Sequence, residues 1–469
     1  MLAKALNKIE ASDSFTKKGL VILMAAIVPL IAVFLLKYGL HEKFLVPIGA
    51  VIMVFSLLAS FNTVYSFFIL SIFIPYASFL HASVFFTLLL AISFLFVYRG
   101  YSGEDFNITL NKAILIYLLS VIPSLFNSVN ILASLGKGYN LIGMLVVLYI
   151  TVITCSKRED IARVINLFLF GVLVNTVYVV ILGVMTGKRV FGFSGVFYVD
   201  FVGLASLYTG IRFIYSQGSK KIFHGSLLLF FIAGLIITQT RNAWLSFGLS
   251  FALLILFLLL QKRGFIKEKK RLLVHSVTVL AVVAIVYAGV SLFSTGLEKR
   301  LDQQAQESVL TESTASVGDN SFITRALIWH TAYNAFSKHP VAGIGLYSFP
   351  FSSHLYYTIP ESFYKAYVEN LTPHVTFIAV ITETGIIGFA GFVFLLFSIL
   401  RIVYRNLNRV PKEEWVEISL IVNWSFVYII ISMFMTDAWL WGQQIMIMGF
   451  LLGFLMVLNK HKLNADADR

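Results

Sequence analysis

Long apolar segments, separated by shorter polar connections, run along most of the chain. A scan for apolar stretches of about 17 to 25 residues, enough for a helix to cross a bilayer, finds about fourteen candidates. They lie near residues 19–36, 44–60, 62–80, 83–98, 113–133, 140–155, 161–185, 199–216, 222–239, 243–261, 272–293, 374–400, 416–435 and 443–458. The segments lack the alternating pattern of a barrel, and a spanning helix satisfies its own backbone hydrogen bonds. The pattern therefore predicts an all-α, polytopic membrane bundle of about 12 to 14 transmembrane helices.

One polar connection, residues 294–373, is longer than the others and is expected outside the membrane. A connection of about 80 residues inside a compact protein is usually functional or disordered. Its first part, 301–320, is rich in Gln, Glu, Ser and Thr, which is typical of a solvated stretch. From Ser321, a plausible N-cap, to the stop signals Pro340 and Gly343, the sequence predicts a helix. The apolar residues that recur at helical spacing are Phe322, Ile323, Ala326, Leu327, Trp329, Ala332, Tyr333 and Phe336. We therefore predict an amphipathic helix at the outer interface.

The composition excludes a soluble protein. Of 469 residues, 58% are hydrophobic and 13% are charged, and the mean hydropathy is +0.86. Such a chain cannot cover a globule with polar surface, which excludes a soluble enzyme or a secreted domain. The single cysteine excludes a disulfide scaffold, and the histidines lack metal-ligand partners at useful spacing. We expect neither a metal nor a cofactor.

The formal charge is +13, and the positions of the basic residues along the chain indicate the membrane topology. We therefore do not expect nucleic acid as a partner. About 25 of the 36 basic residues fall on alternate connections, which the positive-inside rule places in the cytoplasm. Both termini are then cytoplasmic, and the number of spans is even. The chain divides into an N-terminal transmembrane bundle (1–293), a large extracytoplasmic loop (294–373) and C-terminal transmembrane helices with a cytoplasmic tail (374–469).

Three arginines break this charge bias because they fall on the outer side. Arg189 lies in a connection, Arg241 lies at the end of a span, and Arg325 begins the predicted amphipathic helix. An arginine at or near a span usually faces a cavity or a partner, and its planar guanidinium matches phosphate oxygens. The arginines are therefore candidate ligands of an anionic substrate. The alternative is that they are interfacial residues whose side chains reach the lipid headgroups.

A histidine and two carboxylates complete the candidate chemistry. His374 follows Pro373 at the outer start of a span, where an imidazole can exchange a proton near neutral pH. Glu383 and Asp437 lie in or at the ends of apolar spans, and intramembrane carboxylates are functional candidates. Asp437 could orient His374 or a sugar, whereas Glu383 could brace the helix bundle. Gly385, Gly388 and Gly391 form a small-residue face that is typical of helix packing.

Three stretches, in this order, resemble the O-antigen ligase and polymerase family of bacterial envelope glycosyltransferases. They cover roughly residues 238 to 391 and comprise Thr240-Arg241-Asn242-Ala243-Trp244-Leu245, then Arg325-Ala-Leu-Ile-Trp329 through His339-Pro340 to Gly345, then Pro373-His374 through Glu383 to Gly388. In the ligase pattern, the histidine is followed by Asn, Ser or Gln, nine further residues and Gly-x-x-Gly. His374 and Gly385 keep that separation, but Val375 departs from the pattern, so ligase and polymerase both remain open.

The resemblance implies transfer of a glycan from an undecaprenyl-diphosphate carrier to a hydroxyl acceptor on the outer face of the bacterial inner membrane, without metal or nucleotide. Arg241 and Arg325 would hold the diphosphate, and Arg189 would widen the anionic site. His374 would act as the base on the acceptor in an inverting single displacement. The acceptor would be a lipid A core sugar for a ligase, or the terminal sugar of another lipid-linked chain for a polymerase. Transfer to a protein hydroxyl is the third option within the family.

A transporter or flippase of lipid-linked oligosaccharide is the alternative from another class. It would also need an arginine-lined cavity, but its basic residues should follow a path through the membrane. The candidate arginines cluster on one side, and transport does not require a base such as His374. The sequence therefore favours an enzyme.

Overall fold

The computed structural model describes residues 108–155, 157–193, 195–261, 321–408, 413–436 and 442–467. Every regular element within these ranges is helical, which confirms the predicted all-α class for the described part of the chain. The first four candidate spans, the candidate near 272–293 and the polar stretch 301–320 lie outside these ranges. The total of 12 to 14 spans therefore stays a prediction.

Twelve α-helices are described, numbered here in chain order. They are α1 (Asn111–Leu125), α2 (Ile131–Thr154), α3 (Arg158–Thr186), α4 (Tyr198–Tyr215), α5 (Gly218–Ile237), α6 (Arg241–Leu260), α7 (Ser321–Lys338), α8 (Phe349–Ser352), α9 (Glu361–Tyr367), α10 (Thr376–Asn408), α11 (Val416–Met433) and α12 (Gly442–Ala467). Seven described helices are long and apolar enough to cross a membrane, namely α2 to α6, α10 and α11. α1 and the stretch Gln444–Lys460 of α12 are shorter apolar helices.

One boundary differs from the sequence prediction. The apolar run 113–133 was expected to form one span, but α1 ends at Leu125 and α2 begins at Ile131. Pro123 lies in the last turn of α1, and Asn130 accepts a hydrogen bond from the backbone N–H of Ala133 to cap α2. The proline thus lies where one helix ends, and the asparagine caps the start of the next. Hydropathy alone predicts a single helix across this stretch, because most of its residues are apolar.

The helix α4 is enclosed by other described helices, since every residue from Tyr198 to Arg212 is buried. It contacts α3, α5, α6 and α11, and its side chains Tyr198 and Phe201 are fully buried. Some polar groups inside this core link neighbouring helices: Trp424 Nε1 of α11 donates to the Ser250 carbonyl of α6 at 2.8 Å. Because lipid offers no competing hydrogen-bond partners, such pairs hold neighbouring helices in a single arrangement.

A second, smaller core lies outside the main bundle, where α7, α8 and α9 meet the segments between them. Its buried residues are Ile328, Ala332, Ala335, Ile344, Phe349, Tyr356, Tyr364 and Val368. The predicted helix from Ser321 is confirmed and ends at Lys338, but its buried face differs from the predicted apolar face. Trp329 and Tyr333 are not part of this core and are 36% and 66% exposed. The location of α7 at a membrane interface stays a prediction.

The helix α10 is broken at Gly385, whose φ of 64° and ψ of −169° are far from helical values. The segment 340–345 fills the break with backbone hydrogen bonds. Ile344 N and Gly345 N donate to the carbonyls of Thr382 and Glu383 at 3.2 and 2.9 Å. In return, Ile386 N and Ile387 N donate to the carbonyls of Pro340 and Val341 at 2.9 and 3.2 Å. The outer segment thus replaces the helical partners that the break removes.

Glycine is required where these two backbones cross. A Cβ on Gly343 would overlap the backbone of Glu383, and a Cβ on Gly385 would overlap the carbonyl of Val341. The expected small-residue face is therefore only partly correct. Gly391 does pack closely against Ser120 and Tyr117 of α1, but Gly385 accommodates the outer segment at the break.

We predict that Gly385→Ala destabilises the fold by about 1 to 3 kcal/mol, because alanine disfavours this backbone conformation and its methyl group meets the Val341 carbonyl. Thermal unfolding of the purified protein in detergent measures the effect. Gly248→Ala is the matched control, since Gly248 lies in α6 with no atom within 4 Å of a built Cβ. Equal melting temperatures for the two variants would contradict the role assigned to the crossing.

Candidate active site at one end of the bundle

Three chain segments meet at the end of the bundle where α6 and α10 begin and α11 ends. Asn242 Nδ2, in the first turn of α6, donates to the Met435 carbonyl at 3.0 Å. The next carbonyl, that of Thr436, accepts from Thr376 N at 3.0 Å and from Thr376 Oγ1 at 2.7 Å. The segment 434–436 is therefore bonded both to the residue after Arg241 and to the first residue of α10. These bonds bring the Arg241 and His374 segments together.

Arg241 is the first residue of α6 and is half-buried. The preceding turn is tight: Gln239 has a φ of 49° and is 7% exposed, and its N–H donates to the Ile236 carbonyl at 2.9 Å. The Thr240 side chain does not cap the helix. The first backbone N–H groups of a helix have no intrahelical acceptor and carry partial positive charge, which favours an anion beside Arg241.

Arg189 supports this turn from the α3–α4 connection. Its Nε donates to the Thr238 carbonyl at 2.8 Å, and its Nη2 donates to Thr240 Oγ1 at 3.0 Å. The guanidinium carbon lies 4.1 Å from the centre of the Phe191 ring. The structure therefore places Arg189 next to the Arg241 turn, where it braces the backbone. Its predicted contact with a diphosphate stays a prediction.

The helix α7, which carries Arg325, is joined to the same region through Trp329. Trp329 Nε1 donates to the Pro373 carbonyl at 2.9 Å, which ties α7 to the residue before His374. Arg325 is half-buried and lies one turn earlier on α7, and residues four apart share a helix face. The structure thus places Arg325 on the α7 face that meets the His374 turn. The sequence placed Trp329 in the family motif and in the apolar repeat of the predicted helix, but gave it no role in the site.

His374 adopts a left-handed backbone conformation, with a φ of 56°, and its side chain is half-buried. Such a conformation is uncommon for a residue other than glycine and persists only where its surroundings impose it. Here the backbone is held on both sides, by Trp329 at Pro373 and by Thr436 at Thr376. The imidazole is therefore presented from a turn with restricted freedom.

Glu383 is a buried supporting group, with 4% exposure, two turns into α10. Its Oε2 accepts the backbone N–H of Tyr347 at 2.8 Å, and its Oε1 accepts that of Phe349 at 3.4 Å. Tyr347 has a φ of 57°, so the carboxylate stabilises another strained turn in the outer segment. These contacts are to the outer segment, and the role in bracing the helix bundle that was considered from the sequence stays a prediction. Asp437 lies outside the described residues, although Thr436 before it is bonded to Thr376.

The α1–α2 connection contributes supports that the sequence did not single out. Asn127 Nδ2 donates to the Gly343 carbonyl at 2.9 Å, and Ser134 Oγ donates to the Leu346 carbonyl at 2.5 Å. Ser128 and Ser348 pair through their hydroxyl groups at 2.9 Å. The available signal was the group of polar residues inside an apolar run, which marks a turn. Nothing local showed that this turn meets the segment 343–348.

Residues 226–393 match the protein family described as O-antigen ligase. The matched region runs from α5 into α10 and contains Arg241, Arg325 and His374, whereas Arg189 and Asp437 lie outside it. The match confirms the resemblance found in the sequence and supports assignment to a family of glycosyltransferase-like membrane enzymes. No curated protein sequence matches the chain.

We predict that Trp329→Phe loosens the His374 turn, because phenylalanine keeps a ring but cannot donate to the Pro373 carbonyl. Loss of one hydrogen bond worth about 1 kcal/mol corresponds to amide exchange about fivefold faster. Hydrogen–deuterium exchange of peptides that cover residues 374–380 measures this change. Trp424→Phe is the control, because it removes an equivalent bond to Ser250 elsewhere in the bundle. Unchanged protection in Trp329→Phe would show that this bond does not hold the turn.

Proposed function

We propose that this protein, whose residues 226–393 match the O-antigen ligase family, transfers a glycan from undecaprenyl diphosphate to a hydroxyl group of the lipid A core. One observation carries the proposal: hydrogen bonds join the segments of Arg241, Arg325 and His374 at one end of the bundle. Two cationic side chains and a potential base, drawn from three helices, fit a diphosphate leaving group and a hydroxyl nucleophile.

The two arginines are assigned to the diphosphate. As the bond between the anomeric carbon and the diphosphate oxygen breaks, negative charge grows on the diphosphate. Guanidinium groups donate paired hydrogen bonds to phosphate oxygens, and donors held in place before the reaction stabilise this charge most effectively. The open N–H groups at the start of α6 add to the same field. In this role, Arg241 and Arg325 make a metal ion unnecessary.

His374 is assigned as the general base. Its imidazole takes the proton of the acceptor hydroxyl while that oxygen forms the new bond to the anomeric carbon. The electron pair of the broken bond leaves with the diphosphate, and the imidazolium later releases its proton to solvent. A single displacement from the face opposite the leaving group inverts the anomeric configuration. Arg189 and Asp437 are proposed as further contacts to the anionic site and to His374.

The orientation of the bundle supports an outer location for this site. The end opposite the site carries Arg158, which starts α3, and Arg212, whose Nε lies 3.2 Å from Glu417 Oε1 at the start of α11. Basic residues concentrate on cytoplasmic connections, so the site end faces outward. We propose a bacterial inner-membrane protein with both termini in the cytoplasm and membrane lipid around its apolar helices. The segment 294–373 then forms the large extracytoplasmic unit.

A polymerase is the second candidate, in which the acceptor is a growing lipid-linked glycan. The observation that favours it is Val375, which is 8% exposed and replaces the Asn, Ser or Gln of the ligase pattern. The same diphosphate and base assignments serve both reactions, because only the acceptor differs. A flippase, the third candidate, would move the lipid-linked glycan without breaking any bond.

We predict that Arg241→Ala and Arg325→Ala each lower turnover by about 100- to 1,000-fold, because each removes a donor to the developing charge. The measurement uses purified protein reconstituted with a fluorescent undecaprenyl-diphosphate glycan and a lipid A core acceptor, without an energy source. Lys188→Ala is the matched control, since Lys188 is an exposed cation at the same end of the bundle. Full turnover in both arginine variants would refute the assignment of Arg241 and Arg325 to the diphosphate. Movement of intact donor across the membrane without product would identify a flippase.

We predict that His374→Ala abolishes glycan attachment in cells, since loss of a general base lowers the rate by about 100- to 10,000-fold. A deletion strain of the source organism is complemented with wild type or His374→Ala, and its lipopolysaccharide and carrier-linked glycans are separated on gels. A ligase defect leaves long polymer on the carrier and a bare lipid A core. Single repeat units on both carrier and core would instead establish the polymerase, and normal lipopolysaccharide would remove His374 from the mechanism.

A further inference from the structure

A buried carboxylate that the proposed mechanism does not use lies directly behind the site. Asp200 is in the first turn of α4 and is 3% exposed. Its Oδ1 accepts from Ser432 Oγ in the last turn of α11 at 3.3 Å. Its Oδ2 accepts from Gln444 Nε2 in the first turn of α12 at 3.1 Å. One side chain therefore joins three helices at the end of the bundle where the site lies.

The contacts of Ser432 lead from Asp200 to the His374 turn. Thr436 N donates to the Ser432 carbonyl at 2.8 Å, and the two side-chain hydroxyls lie 3.4 Å apart. The Thr436 carbonyl then accepts both the N–H and the hydroxyl of Thr376. Thr376 is two residues after His374. Ser432 is thus connected through Thr436 to the first residue of α10, which follows the His374 turn.

Burial of the Asp200 carboxylate costs free energy. A carboxylate taken out of water is unfavourable unless hydrogen-bond donors surround it, and within apolar helices such groups mark functional positions. Gln444 is fully buried, and its Oε1 has no partner among the described residues. Its amide nitrogen, in contrast, points at Asp200. The carboxylate is therefore what orients this side chain and the start of α12.

We propose that Asp200 is a positioning residue for His374. It holds Ser432 and Gln444, and through Thr436 and Thr376 it restricts the turn that presents the imidazole. Its effect on catalysis rests on the proposed function, whereas its effect on the turn does not. The two effects are therefore measured separately.

The test compares three variants in hydrogen exchange of residues 374–380 and in the reconstituted transfer assay. Asp200→Ala removes both acceptors. Asp200→Asn keeps an acceptor for Ser432, and its new amide can donate to Gln444 Oε1 once the Gln444 amide turns over. Asn423→Ala is the matched control: Asn423 is fully buried and bonds to Ser419 and Asn406, but lies about 14 Å from Ser432 along α11.

We expect Asp200→Ala to speed exchange in 374–380 and to lower kcat by about 10- to 100-fold, as expected for a misplaced catalytic group, with the donor KM within about twofold. Asp200→Asn should stay within about threefold of wild type in kcat, because it retains the hydrogen bonds. Asn423→Ala should lower the melting temperature without either change.

Unchanged exchange in Asp200→Ala, or a loss in Asp200→Asn equal to that in Asp200→Ala, would overturn the proposal. So would the same fall in kcat for Asn423→Ala, because the effect would then follow stability. If wild type shows no transfer at all, the proposed function fails, and the exchange data alone decide whether Asp200 holds the turn.

Discussion

The backbone crossing between Gly343 and Gly385 is the constraint on which the rest of the site depends. A helix that is interrupted in an apolar environment leaves amide groups without partners, and each such group costs several kcal/mol in lipid. The segment 340–345 supplies those partners, and the same backbone hydrogen bonds hold it against α10. The Glu383 carboxylate holds the following residues as well, because it accepts the backbone N–H groups of Tyr347 and Phe349. A separate bond, from Trp329 to the Pro373 carbonyl, joins α7 to the His374 turn.

The candidate site is a composite whose parts are separated in sequence and held together by bonds to main-chain carbonyls. Asn242, Trp329 and Thr376 each donate to a carbonyl of another segment. Such bonds fix the backbone from which a reactive side chain projects, and they leave the side chain itself available to the substrate. A site built in this way is positioned before the reaction, which is where the advantage of electrostatic stabilisation arises.

Strained backbone is concentrated at the same end of the bundle. Gln239, Tyr347 and His374 all have positive φ. Gln239 lies two residues before Arg241, the N–H of Tyr347 donates to Glu383, and His374 is the proposed base. A left-handed conformation costs about 1 to 3 kcal/mol for such residues and persists only when several contacts impose it. Here the contacts are the side chain of Arg189, the carboxylate of Glu383 and the carbonyl of Thr436. Each strained turn therefore has an identifiable support.

Within the described residues, the sequence alone determined the all-α class and the positions of most long apolar helices, and it supplied the candidate chemistry. The length of an apolar run and the spacing of apolar residues are local signals, because they involve only neighbouring residues. The apolar helices and the helix from Ser321 could therefore be predicted. The short motifs around Arg241, Arg325 and His374 were sufficient for the family resemblance.

Only the tertiary structure decided which of these residues meet. The turn between α1 and α2, the break at Gly385 and the bond from Trp329 to Pro373 all depend on distant partners. Asn127 and Gly343 are 216 positions apart, and Asp200 and Gln444 are 244 apart. A hydrogen bond between such residues leaves no periodic signal in either segment, because it is set by how the helices pack.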